Sequence, residues 1–294
     1  MYTCCNFKRF IKLLVIDIIV LLAAAFIFII SRTINGSSAS EPGEEPVPLP
    51  VIMYHSVFST EPSEYVITPR QLDSDLSWLS DHGFTAVSAE ELVQYVHGKG
   101  ELPEKPVLIT FDDGHYNNLS AALPLFEKYD MRFIVSVVGR FTDSLAAADP
   151  HNSAYSYLTW NDISELINSG RAEIGNHTYD MHSISGPRKG CSRIAGESEE
   201  DYRSAFTGDI STLQNTIRSA CGYVPYVFAY PFGQISKESI PVLREMGFLV
   251  TLTCYERMNY ITRDPDCLFG LDRYNRSGLL STEEYMSRLL NGNK

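Results

Sequence analysis

From residue 49 to the end of the chain, runs with strand character alternate with runs of helical character through roughly seven units. The helical runs begin at capping residues such as Thr68 and Ser88, and the strand runs are short and apolar. This alternation predicts a parallel sheet with helices outside it, most simply a closed or nearly closed barrel. We therefore expect an α/β fold whose chemistry lies at the carboxyl ends of its strands.

The strand predicted at residues 106–111 ends in two adjacent carboxylates, Asp112 and Asp113, which Gly114 follows. Gly114 permits the backbone to turn, so both carboxylates can reach one cleft. Two anionic groups so close in sequence repel each other unless a cation or a shared proton offsets them. The pair therefore indicates one aspartate that holds a metal and one that acts as a base; an ordinary Asp-Gly turn is the alternative.

A second predicted strand, residues 172–176, runs directly into His177 and His182. Two imidazoles five residues apart can both reach a metal ion if the connecting segment turns, and Asp113 would supply a third ligand. Such a ligand set leaves positions open for water and substrate, as a catalytic metal requires. Alone, the two histidines indicate only a polar loop. With the carboxylate pair they predict a site for a divalent cation, zinc first, with cobalt, nickel or manganese as alternatives.

These residues resemble the motifs of the polysaccharide deacetylase family, carbohydrate esterase family 4, which carries the NodB homology domain. Thr110-Phe-Asp-Asp-Gly114 matches the family's first motif, and His177-Thr-Tyr-Asp-Met-His182 matches its second. The resemblance implies a distorted (β/α)7 barrel of the NodB type and metal-dependent hydrolysis of N-acetyl groups on an acetylated polysaccharide, with release of acetate. It also implies roles for four side chains: metal ligands Asp113, His177 and His182, and catalytic base Asp112.

The family's third motif is incomplete in this chain. Ala229 stands where many members carry an arginine that orients the base, although Pro231-Phe-Gly233 still fits. Another cation must then orient Asp112, and Arg273 is the candidate, with a solvated loop position as its alternative. The resemblance also makes Phe232 and Tyr230 candidates for stabilising the oxyanion or binding substrate.

A later motif of the family supplies a histidine that acts as the catalytic acid. This motif is absent here, because Leu252-Thr-Cys254 in that region contains no histidine. His55, at the end of the first predicted strand of the body, is the candidate catalytic acid in its place. The remaining histidines are expected to be structural or to face solvent: His82, His97, His115 and His151.

The five-residue spacing of His177 and His182 resembles the branch of the family that acts on poly-β-1,6-N-acetylglucosamine. Removal of acetyl groups from peptidoglycan, or of O-acetyl groups from a surface glycan, would use the same chemistry and stays an alternative. A catalytically impaired, membrane-anchored carbohydrate-binding protein is an alternative of another class, suggested by the missing arginine and acidic histidine.

The N-terminus contains eighteen residues, 13–30, that are interrupted in their apolar character only by Asp17, and basic residues precede them. We expect a cytoplasmic N-terminus (1–12), a transmembrane signal anchor in the lipid bilayer (13–31), a linker (32–48) and an extracellular catalytic domain (49–294). Secretion after signal cleavage is the alternative.

The chain carries 24 Lys and Arg against 36 Asp and Glu, a net charge of −12. Such a surface argues against nucleic acid as a partner. Four cysteines of the expected extracellular part permit two disulfides in any of three connectivities: Cys191, Cys221, Cys254 and Cys267.

Overall fold

The computed structural model describes residues 45–58, 61–145 and 149–291. The predicted cytoplasmic segment, the signal anchor and residues 32–44 of the linker lie outside these ranges and stay predictions. Within the described ranges, no helix has the length and hydrophobicity needed to cross a bilayer.

Thirteen strands and seven α-helices make up the described fold. The strands are β1 (Val47–Leu49), β2 (Val51–Tyr54), β3 (Ser56–Val57), β4 (Val66–Ile67), β5 (Thr85–Ala86), β6 (Pro106–Phe111), β7 (Phe133–Val137), β8 (Ala172–Asn176), β9 (Val227–Ala229), β10 (Val250–Leu252), β11 (Asn259–Ile261), β12 (Phe269–Leu271) and β13 (Tyr274–Asn275). The helices are α1 (Pro69–Asp81), α2 (Ala89–Val96), α3 (Leu123–Lys128), α4 (Trp160–Asn168), α5 (Glu199–Cys221), α6 (Ser239–Glu245) and α7 (Thr282–Asn291).

Local sequence signals account for the helix starts. Thr68 caps α1 by accepting a hydrogen bond from the backbone N–H of Gln71, whose side chain accepts one from the backbone N–H of Thr68 in return. Ser88 and Glu91 form the same reciprocal pair at the start of α2. Both predicted helix starts are therefore confirmed.

The main sheet has nine strands in the order β12-β10-β9-β8-β7-β6-β2-β13, with β5 paired to β6, and every pairing in it is parallel. Its register aligns Tyr54 of β2 with Phe111 of β6, and Val137 of β7 with Asn176 of β8. The carboxyl ends of these strands therefore meet at one mouth of the sheet, where the predicted site residues follow them.

The two edge strands, β12 and β13, are separated in the chain by only Asp272 and Arg273. Two residues span only a few ångströms, so the sheet must curl until its two edges lie close together. The prediction of an α/β fold with a parallel sheet is confirmed, but the predicted (β/α)7 barrel is instead a curled, open sheet of nine strands. The hydrogen-bond ladder itself stays open, because the chain segment that joins β12 to β13 lies between the two edges.

Alternate residues of the strands face two different apolar clusters, as the pleat of a strand requires. Ile109 and Phe111 pack with the helices around the sheet, in a cluster that includes residues of α1, α3 and α4. Leu108 packs instead with Val51 and Ile134 and with residues of α2. The strands are thus buried on both faces, which holds their carboxyl ends rigidly.

The four cysteines of the described body are all free thiols. The disulfides that the sequence permits are not formed in this structure, and Cys191, Cys221, Cys254 and Cys267 contribute as single side chains.

Candidate metal and catalytic site

Tight turns follow three of the strand ends at the mouth of the sheet. Asp113, Thr178 and Phe232 have φ angles of 71°, 73° and 57°, in the left-handed region that side chains seldom adopt. A side chain at Gly114, where φ is also 71°, would be strained, and its Cβ would lie 3.0 Å from Cγ1 of Val137, closer than ordinary van der Waals contact. Strained backbone of this kind persists only where the surrounding structure fixes it, and such positions cluster at functional sites.

The turns bring together the three predicted metal ligands. Nε2 of His182 lies 3.0 Å and Nε2 of His177 lies 3.7 Å from Oδ1 of Asp113. All three ligand atoms lie within 4.8 Å of one another, close enough to share one ion.

The orientation of His177 shows that these residues fit a cation. Its Nδ1 lies 2.8 Å from the carbonyl oxygen of Ala229, so Nδ1 carries the proton and Nε2 presents a lone pair to the site. Burial lowers the pKa of His177 to about 4, so the ring is neutral at pH 7. Oδ1 of Asp113 is buried and has no hydrogen-bond donor aligned with it among the described residues. Lone pairs of Nε2 and Oδ1 thus face each other, an arrangement that a divalent ion would satisfy.

Asp112 is held by Arg273 in a buried, bidentate ion pair. Nη1 and Nη2 of Arg273 each lie 2.7 Å from one carboxylate oxygen, and Nε donates to the carbonyl of Thr253 at 2.6 Å. Burial by itself would raise the pKa of Asp112, but the guanidinium outweighs it and the pKa is lowered. Asp112 is therefore an oriented carboxylate, and its Oδ2 lies 3.8 Å from Nε2 of His177. The candidate orienting residue Arg273 is fully buried and binds both oxygens of Asp112, so the alternative of a solvated loop position is wrong.

His55 follows β2, and its ring packs edge-on against Tyr65 with ring centroids 4.9 Å apart. Its Nδ1 is buried and has no hydrogen-bond partner among the described residues. Burial lowers the pKa of His55, although the charges of Asp113 and Asp112 oppose that shift. The structure thus gives the candidate acid a buried, unpaired ring nitrogen whose pKa responds to the charges of both carboxylates.

His115 belongs to the site, and its expected structural or solvent-facing position is wrong. Its Nε2 lies 3.7 Å from Oδ2 of Asp113, and its ring stacks on Tyr157 with centroids 4.9 Å apart. The turn at Gly114 directs the chain back toward Asp113. In the sequence, the only sign of this contact is that His115 stands two residues after Asp113. The other three of these histidines contact residues elsewhere: His82 contacts Trp78, His97 contacts Val93 and His151 contacts Asp162.

The turn after β9 separates the two predicted substrate contacts. Phe232 is 41% exposed, and its ring centroid lies 4.5 Å from that of His182. The Tyr230 side chain is fully buried, and its hydroxyl shares a 2.7 Å hydrogen bond with Ser239. Tyr230 therefore does not offer its side chain to substrate, because it packs in the apolar cluster beside α6.

Cys254 lies in the region where the late family motif would place a histidine, and from the sequence it was a candidate only for a disulfide. Its Sγ is 3.7 Å from Nη2 of Arg273 and 3.8 Å from Sδ of Met53. Burial raises the pKa of this thiol. Cys254 thus contributes a neutral thiol to the wall beside the ion pair of Arg273 and Asp112.

Comparisons with known proteins agree with this geometry. Among curated proteins, the poly-beta-1,6-N-acetyl-D-glucosamine N-deacetylase of Escherichia coli is 23% identical over 217 residues, covering 67% of this chain and 32% of the relative. The Staphylococcus epidermidis protein of the same name is 24% identical over 208 residues, covering 71% of this chain and 67% of the relative. This chain therefore spans about a third of the length of the Escherichia coli relative.

Among solved structures, IcaB from Ammonifex degensii superposes with a TM-score of 0.67 at 25% identity, covering 84% of this chain and 97% of that one. The family model described as polysaccharide deacetylase matches residues 99–251, more than half of the chain. Because this region contains the carboxylate pair and both metal-site histidines, the resemblance predicted from the two motifs is confirmed, and the chain belongs to the polysaccharide deacetylase family.

Proposed function

We propose that this chain is a metal-dependent hydrolase that removes N-acetyl groups from an N-acetylhexosamine polysaccharide and releases acetate. The observation that carries the proposal is the pairing of two features at one mouth of the sheet. A set of two histidines and one aspartate suits a divalent ion, and the neighbouring Asp112 is held by Arg273 as an oriented base. The names of the curated relatives favour poly-N-acetylglucosamine as the substrate class, with peptidoglycan as the alternative.

Asp113, His177 and His182 would hold the ion. When bound, a divalent cation there supplies Lewis-acid chemistry, which polarises the acetyl carbonyl and lowers the pKa of water. Zinc is the first candidate, with cobalt, nickel or manganese as alternatives, because imidazole and carboxylate ligands accept each of them.

Asp112 takes the proton of the attacking water on a carboxylate oxygen. Arg273 occupies one lone pair on each oxygen and fixes the plane of the carboxylate, so the remaining lone pairs keep a defined direction. The backbone N–H of Phe232, in the turn after β9, is the proposed donor to the oxyanion of the tetrahedral intermediate.

His55 delivers a proton from its ring to the leaving amine. Since burial lowers the pKa of His55, its protonated fraction is small at neutral pH. We therefore expect kcat/KM to fall as pH rises through the pKa of this group, and His55→Gln to remove that limb of the profile.

O-acetyl esterase activity on a cell-surface glycan would use the same ligands and base. An impaired carbohydrate-binding protein is the less favoured alternative, because the missing arginine of the third motif has a counterpart in Arg273. We further propose that residues 13–31 anchor the enzyme in the cell membrane with its catalytic domain outside the cell. Secretion after signal cleavage is the alternative location.

The test uses the purified full-length chain, freed of metal and then given zinc or cobalt. Acetate and new primary amines are measured on acetylated β-1,6-linked glucosamine oligomers, β-1,4-linked oligomers and peptidoglycan. We expect equal amounts of acetate and amine, and loss of both in His182→Ala. Asp130→Asn, which changes an exposed aspartate paired with Arg171, is the matched control. Acetate without amine would indicate an esterase, and no acetate from any substrate would contradict the proposed function.

A further inference from the structure

The segment between His177 and His182 must hold two metal ligands five residues apart, and its middle is a sharp turn. Thr178, next to the first candidate ligand, has a φ of 73°, a left-handed conformation that is strained for a β-branched residue. Such a turn keeps its shape only if the rest of the molecule holds it.

One carboxylate outside the segment binds its backbone. Asp209, on α5, accepts a hydrogen bond from the N–H of Tyr179 on Oδ1 at 2.7 Å, and one from the N–H of Asp180 on Oδ2 at 2.9 Å. Hydrogen bonds to an ionised carboxylate are roughly twice as strong as those between neutral groups. Burial raises the pKa of Asp209, and these two backbone bonds oppose that shift.

We propose that Asp209 is a positioning residue for the metal site, which fixes the backbone of Tyr179 and Asp180 so that His182 points at Asp113. The inference rests on the proposed function, because it assumes that Asp113, His177 and His182 bind a metal. Asp209 itself contacts none of these ligands in the hydrogen bonds described; it acts on the peptide that joins the two histidines.

The opposite side of the same peptide is held by backbone groups. The N–H groups of Gly139 and Arg140 donate to the carbonyls of Thr178 and Tyr179, at 3.1 and 2.9 Å. A Cβ at Gly139 would lie 2.4 Å from Cδ2 of Tyr179, so the two paired segments of backbone approach as closely as their atoms allow. The Asn176 side chain also accepts a hydrogen bond from the N–H of Thr178, at 2.9 Å. Asp209 is thus an anchor from helix α5 that a side-chain substitution can remove without disturbing this backbone pairing.

Loss of the anchor should appear first in metal affinity. In the absence of the Asp209 carboxylate, the turn around Thr178 and Tyr179 can relax. Binding of Zn²⁺ must then also order His182, and this reduces the free energy of metal binding. Mutations of groups that support metal ligands typically weaken metal binding 10–100-fold. We expect a loss of that size for Asp209→Asn, whose amide presents N–H groups where an oxygen accepted one.

The experiment measures the affinity of the metal-free, full-length chain for Zn²⁺ by competition with a chromophoric chelator, and the Tm of the metal-free protein. Asp201→Asn is the matched control, because it removes one negative charge from the same helix, at an exposed side chain that bonds only Ser198 among the contacts described. We expect at least tenfold weaker Zn²⁺ binding in Asp209→Asn, wild-type binding in Asp201→Asn, and metal-free Tm values within a few degrees of each other.

Three results would overturn the inference: unchanged Zn²⁺ affinity in Asp209→Asn, the same loss in Asp201→Asn, or a large fall in the metal-free Tm of Asp209→Asn. The last result would show that Asp209 stabilises the whole domain and not the turn. Failure of the proposed function is distinguishable: a wild-type chain that binds Zn²⁺ but releases no acetate would contradict the proposed function and leave the comparison of affinities intact. A wild-type chain that binds no Zn²⁺ would overturn this inference as well.

Discussion

Two buried arginines three residues apart, Arg273 and Arg276, each bind one buried aspartate with two nitrogens. Arg273 holds Asp112 at the mouth of the sheet, with both distances 2.7 Å. Arg276 holds Asp75 of α1, with distances of 2.7 and 3.1 Å. By type, geometry and burial the two pairs are alike, so the difference in what they do must come from their surroundings.

The surroundings of Asp75 use all of its capacity to accept hydrogen bonds. Besides Arg276, it accepts from the hydroxyl of Tyr54 at 3.1 Å and from that of Thr282 at 2.6 Å. Those four bonds match the four lone-pair sites of a carboxylate. Asp112 accepts only the two bonds of Arg273 among the side-chain contacts described, and its Oδ2 faces His177 at 3.8 Å. A buried ion pair whose carboxylate keeps lone pairs open is thus suited to act as a base, and one whose lone pairs are all used is suited to act as a structural clamp.

The strongest way to break this comparison is Asp112→Asn. The amide cannot take a proton from water, so we expect kcat to fall about 10²–10⁴-fold, the usual contribution of a general base. Zn²⁺ should still bind, because Asp113, His177 and His182 are unchanged. The measurement is acetate release per folded molecule; activity within a few-fold of wild type would show that Asp112 is not the base.

The matched change at the clamp is Asp75→Asn, and its effect should be on stability. It leaves the charge of Arg276 buried without a counter-ion, which typically costs about 3–5 kcal/mol. Urea unfolding of the metal-free protein should show a loss of that size, while kcat of the folded fraction stays within a few-fold of wild type. A large fall in kcat without loss of stability would mean that the two pairs do not differ as described.

Short sequence signals predict the helix starts and the central strand. Capping pairs such as Thr68 with Gln71 place helix starts, and the apolar run at Pro106–Phe111 places the central strand. The edges of the sheet could not be predicted, because β12 and β13 have three and two residues, too few to show a period.

The site divides in the same way. The candidate metal ligands follow predicted strands and fall inside the matched region, residues 99–251. Arg273 could be named as the residue that orients Asp112 only because the arginine of the family's third motif is missing from this chain. Its contact with Asp112 spans 161 residues of chain. His115 points toward Asp113, and Tyr230 points into the apolar cluster beside α6. Both directions depend on the path of the backbone after a strand end, which residue types alone do not determine.

The neutral state of His177 predicts that the stability of the metal-free chain depends on pH. Between pH 6.5 and about 4 the unfolded chain binds a proton on this histidine and the folded chain does not, so stability falls as pH falls. The difference in pKa corresponds to roughly 3 kcal/mol at pH 4. Urea unfolding of the metal-free chain at several pH values should show this loss, and His177→Gln should reduce it by that amount. His97→Gln, at an exposed histidine, is the control for the exchange. An identical pH dependence in the wild type and His177→Gln would contradict the buried neutral state.

The smallest expected effect is also the sharpest test of the comparison: exchange of each arginine for lysine. Lysine keeps the positive charge but cannot contact both carboxylate oxygens in one plane. In Arg273→Lys the base loses its fixed orientation, and we expect kcat to fall about tenfold, equal to about 1.4 kcal/mol. In Arg276→Lys we expect a loss of stability of about that size with kcat unchanged, because Asp75 keeps its bonds to Tyr54 and Thr282. Both kcat and urea stability are measured for both variants. Equal effects of the two variants on kcat would contradict the assignment of Asp112 as a base and of Asp75 as a clamp.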